Sequence, residues 1–97
     1  MIKKWSSIIL AVLILTIPLQ TDAFSSQVVE RGAFGDDVIE LQARLQYIGY
    51  YNGAIDGIFG YGTYWALRNF QQDYGLDVDG IAGAKTKNKL VNNSQYH

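Results

Sequence analysis

The 97-residue chain has no cysteine, one proline, one histidine and no excess of positive charge, with 8 Lys and Arg against 9 Asp and Glu. Each shortage excludes something. Without cysteine there is no disulfide framework of the kind small exported domains commonly carry, and no thiolate nucleophile. With His97 alone at the terminus, neither a Cys/His zinc site nor a Ser-His-Asp set can be assembled. The formal net charge of −1 argues against nucleic acid, which is held through clustered Lys and Arg that neutralise phosphates. A bilayer-spanning stretch is also missing. The apolar run Ile8 to Ile17 covers ten residues, about half of the ~20 a helix needs to cross a membrane.

That run reads instead as the core of a signal peptide at residues 1–23. Lys3 and Lys4 supply a positive start, Ile8 to Leu15 the apolar segment, and Pro18 with Thr21-Asp22-Ala23 a breaker and a small-x-small site, so cleavage is expected after Ala23. Residues 24–97 then carry six basic and eight acidic residues, a net charge of −2. The expected product is an exported monomer with no stable membrane span. Seventy-four residues suffice for one core, but a marginal one. With no disulfide or metal to help, the fold must rest on packing and turn chemistry.

What the sequence does have is a repeat. Residues 56–67 align without gaps on residues 79–90, with six of twelve positions identical, in the frame D-G-I-x-G-x-x-T-x-x-x-L. The Asp-Gly pair makes a turn in which Gly supplies positive φ and the Asp carboxylate bonds nearby N–H groups. The Ile is expected to enter the core, the second Gly to open a helix, and the Thr hydroxyl to satisfy free N–H groups in its first turn. A degenerate copy, Gly32-Ala33-Phe34-Gly35, precedes these and resembles Gly57-Ile58-Phe59-Gly60. Asp37 with Glu40 behind it has capping-box spacing.

Three loop-then-helix units follow. Helix one is expected over about Asp37 to Ile48, with Val38, Leu41, Leu45 and Ile48 as its apolar stripe and Gly49 as its stop. Helix two is expected over about Gly62 to Asp73, with Thr63, Ala66, Leu67, Phe70 and Tyr74 inward and Gly75 behind it. Helix three, about Ala84 to Val91, has Leu90 and Val91 as its only large apolar residues and must lean on the others. The connecting segments are too broken for strands. Residues 24–31 read as an extended lead-in, 32–92 as the module and 93–97 as a frayed tail. The fold class is therefore all-α, a small three-helix bundle with Gly/Asp-rich loops.

The pattern resembles the peptidoglycan-binding domain type 1 family over the whole of residues 32–90. Gly32, Gly35, Val38, Leu41, Gln42 and Leu45 fit the family's opening. Gly49, Tyr50, Gly53, Asp56, Gly57, Phe59, Gly60, Thr63, Ala66, Phe70 and Gln71 fit its centre, and Gly75, Leu76, Asp79, Gly80, Gly83, Thr86 and Leu90 its closing unit. The wording of residues 62–71 and 83–87 is similar to the N-terminal module of spore cortex-lytic enzymes. The resemblance implies a three-helix module that binds peptidoglycan, through glycan or stem peptide, at the cell wall or spore cortex. It also implies a covalently linked C-terminal hydrolase domain, acting in germination, whose catalytic residues are not among these. A docking module for an envelope or spore protein is the alternative from another class.

The residue inventory agrees with a binder rather than an enzyme. Glycoside cleavage usually needs two carboxyls across a sugar-sized cleft, and the only glutamates are Glu30 and Glu40, while Asp56 and Asp79 are equivalent turn residues. An EF-hand frame fails, because placing Gly80 at its sixth position puts Gly75 first and Thr86 last where acids are required. No metal and no cofactor are expected. Sugars stack their apolar faces on aromatic rings, and residues 24–97 hold twelve aromatics. Phe59 and Phe70 belong in the core. The candidate ligand-binding residues are Tyr50, Tyr51, Asn52, Tyr61, Tyr64, Trp65, Arg68 and Asn69, which would line a shallow groove. Lys85, Lys87 and Lys89 are expected to form a solvated helix face.

Overall fold

A computed structural model describes residues 23–95, so the signal-peptide reading, together with the last two residues of the tail, lies outside the described residues. The described residues form three helices, α1 (Asp36–Tyr47), α2 (Tyr61–Asp73) and α3 (Ala84–Asn93), with α1 packed against both of the others. Each boundary falls within two residues of the expectation. α1 begins with Asp36 and Asp37 at the positive end of the helix dipole.

Both longer helices stop in the same way. Gly49 at φ +91° and Gly75 at φ +71° let the chain turn back, so that the Tyr50 N–H reaches the Leu45 carbonyl at 2.7 Å and the Leu76 N–H reaches that of Gln71 at 2.9 Å. With the Gly49 to Gln46 and Gly75 to Gln72 bonds, these are Schellman closures that satisfy the last carbonyls. Only a residue without Cβ takes that φ cheaply.

Val38, Leu41 and Leu45 of α1 meet Ala66, Leu67 and Phe70 of α2 and Leu90 of α3, and Val29, Phe59 and Ala82 complete the buried cluster from the connecting segments. Those segments contain isolated bridges, Val29 with Ala82 and Phe34 with Ile58. The bridges correct one expectation about the repeat. Ile58 is 60% exposed, and the residue after it, Phe59, is 2% exposed; likewise Ile81 is half-buried and Ala82 buried. In extended backbone successive side chains alternate faces, and pairing with residue 34 turns Ile58 outward. Phe34 goes with it, at 82% exposure, so it does not play the part of Phe59.

The threonines also differ from expectation. Gly35, Gly60 and Gly83 occupy the N-cap positions, and no side chain caps a helix there. Thr63 and Thr86 instead accept hydrogen bonds from two buried glutamines. Gln42 shares its amide N–H groups among Thr63 Oγ1 at 2.9 Å, the Ile58 carbonyl at 3.0 Å and Asp56 Oδ1 at 3.1 Å, while its oxygen accepts the Gly57 N–H at 3.0 Å. Gln71 does the same one loop later, with Asp79 Oδ1 at 2.9 Å, the Ile81 carbonyl at 3.0 Å and Thr86 Oγ1 at 3.2 Å. Its oxygen accepts the N–H groups of both Asp79 and Gly80. The Asp carboxylates fold back on the Ile58 and Ile81 N–H groups, as the turn reading required. Each Asp-Gly loop is thus pinned to the preceding helix by one amide, and both amides are fully buried. The Ile58 N–H, with Gln42 second, holds the Asp56 carboxyl below its usual range despite a small opposing effect of burial.

The capping box at Asp37 and Glu40 does not form. Burial would raise the Asp37 pKa, but the Ser25 hydroxyl and N–H donate to its carboxylate and lower it on balance, and Glu40 pairs with Arg44 one turn on. Lys87 is not solvated either. It is 7% exposed, and its ammonium donates to the carbonyls of Ser25 and Gln27 and lies 5.6 Å from the centroid of the Phe24 ring. Lys85 and Lys89 do face solvent. The lead-in is therefore strapped across α1 and α3. At the other end Asn93 is still helical, and Ser94 is buried with its hydroxyl bonded to the Leu90 carbonyl and to Arg44.

Candidate ligand-binding face

α2 begins at Tyr61, so positions 61, 64, 65, 68 and 69 follow at helical spacings of three and four and share one side of it. Positions 63, 66, 67 and 70, also on α2, are buried. The core stripe therefore forces Tyr61, Trp65 and Asn69 outward, and Tyr61 is 67% and Trp65 54% exposed. Tyr64 and Arg68 lie at the edge, half-buried.

These side chains touch. Trp65 stands edge-on to Tyr64, with ring centroids 5.3 Å apart at 80°. The Arg68 guanidinium lies 5.6 Å from the Tyr64 centroid and 5.3 Å from that of Trp65. From the lead-in, Arg31 reaches over Tyr61 at 4.9 Å and Tyr64 at 5.2 Å. The order along the surface is Tyr61, Arg31, Tyr64, Arg68, Trp65, a ladder of alternating rings and cations. Each step lies within the ~6 Å over which a cation is drawn to a ring face.

Tyr64 is the rigid centre of this ladder. A methyl group placed on Gly80 would stand 2.3 Å from its ring, so the ring packs closely against the backbone of the second Asp-Gly loop. Arg68 ties down the same loop through the Val78 carbonyl at 3.2 Å. Its Nε is buried without a hydrogen-bond partner, covered where the side chain passes between the rings. The Gln71 amide that fixes this loop therefore also fixes the floor beneath Tyr64.

The other expected site residues are placed differently. Tyr50 packs edge-on to Phe70 and Tyr74 and donates to Asp73 Oδ2 at 2.6 Å. That bond to an ionised carboxylate, with burial next, pushes its pKa up to about 12. Tyr51 donates to the Ala54 carbonyl at 2.6 Å and receives a long contact from Gln42, with its ring against Gly53 and Gly62. Both tyrosines hold the 50–60 loop. Asn52 is exposed on that loop. Of the eight candidates, four meet in the ladder, Asn69 lies beside it on α2, and Tyr50, Tyr51 and Asn52 belong to the loop. Sequence reasoning missed Arg31, because no local pattern announces that a lead-in residue will cross to α2.

Two cavities lie away from the ladder. One of about 450 Å³ runs between the lead-in and α3 past Phe24, Lys87 and Val91, and another of about 370 Å³ lies at the start of α3 beside Asp77 and Asp79. The ladder lies open to solvent at Tyr61 and Trp65. Among the described residues no group of His, Cys, Asp and Glu is placed to hold a metal, and no helix is long and apolar enough to cross a membrane.

The chain is similar to known proteins over most of the described residues. Residues 34–90 match the family described as "Putative peptidoglycan binding domain". A spore cortex-lytic enzyme of Bacillus subtilis is 67% identical over 76 residues, and one of Oceanobacillus iheyensis 66% identical over 77. The matches cover 77% and 79% of this chain but 25% and 28% of those enzymes. The crystal structure of the SleB N-terminal domain is 65% identical and superposes with a TM-score of 0.74, covering 74% of this chain and 99% of that one.

Proposed function

We propose, from the premise that the chain belongs to the peptidoglycan-binding domain family, that it binds peptidoglycan non-covalently and holds an attached hydrolase against the wall or spore cortex during germination. The observation that carries this reading is the exposed ladder of Tyr61, Arg31, Tyr64, Arg68 and Trp65. It offers ring faces for sugars and cations for the acidic stem peptides on one rigid surface. The match to about a quarter of each cortex-lytic enzyme supports a targeting role, since the rest of such an enzyme would bear the chemistry. Retention on an insoluble polymer raises the local concentration of whatever is attached, so weak binding is enough.

Purified sacculi stripped of protein test this. The described module should sediment with them, and Trp65→Ala, a change on the exposed face, should release it into the supernatant. Failure of the wild-type module to sediment until other spore proteins are added back would favour a protein-docking module instead.

A further inference from the structure

Six basic residues occur in 24–97, and the fold disposes of them unequally. Arg44 pairs with Glu40, the one ion pair among the described residues. Lys87 is used up on backbone carbonyls, and Lys85 and Lys89 are exposed on α3. Arg31 and Arg68 remain, and both converge on Tyr64, at 5.2 and 5.6 Å from the same centroid. The two cations thus lie within about 11 Å of each other, the sum of those distances. Among the described residues no carboxylate is paired with either, in a segment whose acidic residues outnumber its basic ones.

Holding two like charges together on an acidic module costs energy, and an anion between or across them relieves it. Arg31 keeps its edge N–H groups for a bidentate carboxylate bond, while Arg68, with Nε buried and one terminal nitrogen on the Val78 carbonyl, keeps its remaining terminal N–H groups for a single charge-assisted bond. Tyr61 and Trp65, at either end, leave ring area open for a sugar face. We infer that the Arg31–Tyr64–Arg68 cluster is a carboxylate-binding site, and that the module recognises the free carboxylates of peptidoglycan stem peptides rather than neutral glycan alone. This rests on the peptidoglycan reading and narrows it. Glycan that carries no carboxylate would be bound poorly.

Calorimetry with three probes tests the site: a disaccharide tripeptide, the same compound with its carboxylates converted to amides, and chitotetraose as neutral glycan. The charged muropeptide should bind best. Arg31→Gln, an exposed position whose loss leaves the core intact, and Arg68→Gln should each weaken it about tenfold, the scale of one charge-assisted bond. Amidation should cost a similar factor with the wild type and little further in the variants. Lys85→Gln/Lys89→Gln, which removes two positive charges away from the ladder, should change affinity less than threefold. Equal binding of amidated or neutral probes, unchanged affinity in both Arg variants, or an equal loss in the Lys control would overturn the site. So would retention on sacculi with no binding of the charged muropeptide, which leaves the broader function standing. A wild-type module that does not sediment with sacculi fails the broader reading itself.

Discussion

Replacing Gln42 by Met keeps the volume of the side chain and removes every polar contact of its amide, so it isolates the contribution of the pin that holds the first Asp-Gly loop. The Gly57 N–H is buried and donates to Gln42 Oε1 at 3.0 Å. Leaving it without a partner costs about 1–3 kcal/mol, and the loss of the Thr63 and Asp56 bonds adds roughly 1 kcal/mol. The expected total is about 2–4 kcal/mol, against a whole stability of roughly 4–11 kcal/mol for a domain of this size at ~0.05–0.15 kcal/mol per residue. The melting temperature should fall by on the order of 10–25 °C. Gln71→Met should cost about 1 kcal/mol more, because the Gln71 oxygen accepts two N–H groups, those of Asp79 and Gly80, where Gln42 accepts one. Urea unfolding followed by circular dichroism measures both, with Gln46→Met on the exposed side of α1 as a control expected within about 0.5 kcal/mol of wild type. If Gln42→Met moved the stability no more than Gln46→Met, or if Gln71→Met proved the milder of the two pin variants, the pinning argument would be wrong.

Gly75 and Gly80 have nearly the same φ, +71° and +72°, but only Gly80 lies under Tyr64. Gly75→Ala should therefore cost about 1–2 kcal/mol, the strain of a left-handed non-glycine residue, while Gly80→Ala should cost more and also weaken sacculus binding by displacing the ring; equal effects would remove Tyr64 from its central place. Lys87→Met should free the lead-in, seen as faster hydrogen exchange at the Val29 amide, which bonds to the Ala82 carbonyl, with a stability loss of about 1 kcal/mol. Tyr50 should ionise near 12 in a residue-specific titration, and Asp73→Asn should return it toward 10. Because its folded pKa is raised, the stability contributed by the Tyr50–Asp73 bond is complete below pH 10 and fades as pH climbs from 10 through 12.

The helices and their stops were legible because they depend on neighbours in sequence. Val38, Leu41 and Leu45 repeat at helical spacing, and Gly49 and Gly75 stand where a left-handed residue is required. The role of Thr63 was misread for the opposite reason. A threonine in a first turn looks like a cap, and only the arrival of Gln42 from 21 residues away makes it an acceptor. Ile58 and Phe59 are both apolar, so composition could not decide which faces inward; the bridge to Phe34 did. At the candidate site, the 64/65/68/69 spacing on α2 was readable, but Tyr61, which joins that face because the helix starts one residue earlier than expected, was indistinguishable from Tyr50 and Tyr51 by residue type.

What the sequence by itself determined is the three helices and the Asp-Gly turns, since these follow from local periodicity, turn residues and a repeated motif, and the resemblance of that motif set pointed to the family. The tertiary structure alone decided which polar groups are spent on the fold and which are left for a ligand. It buried Lys87 against the lead-in and paired Arg44, and it brought Arg31 to the ring of Tyr64. A side chain's partner across the chain is fixed by packing, and no property of the residue alone encodes it.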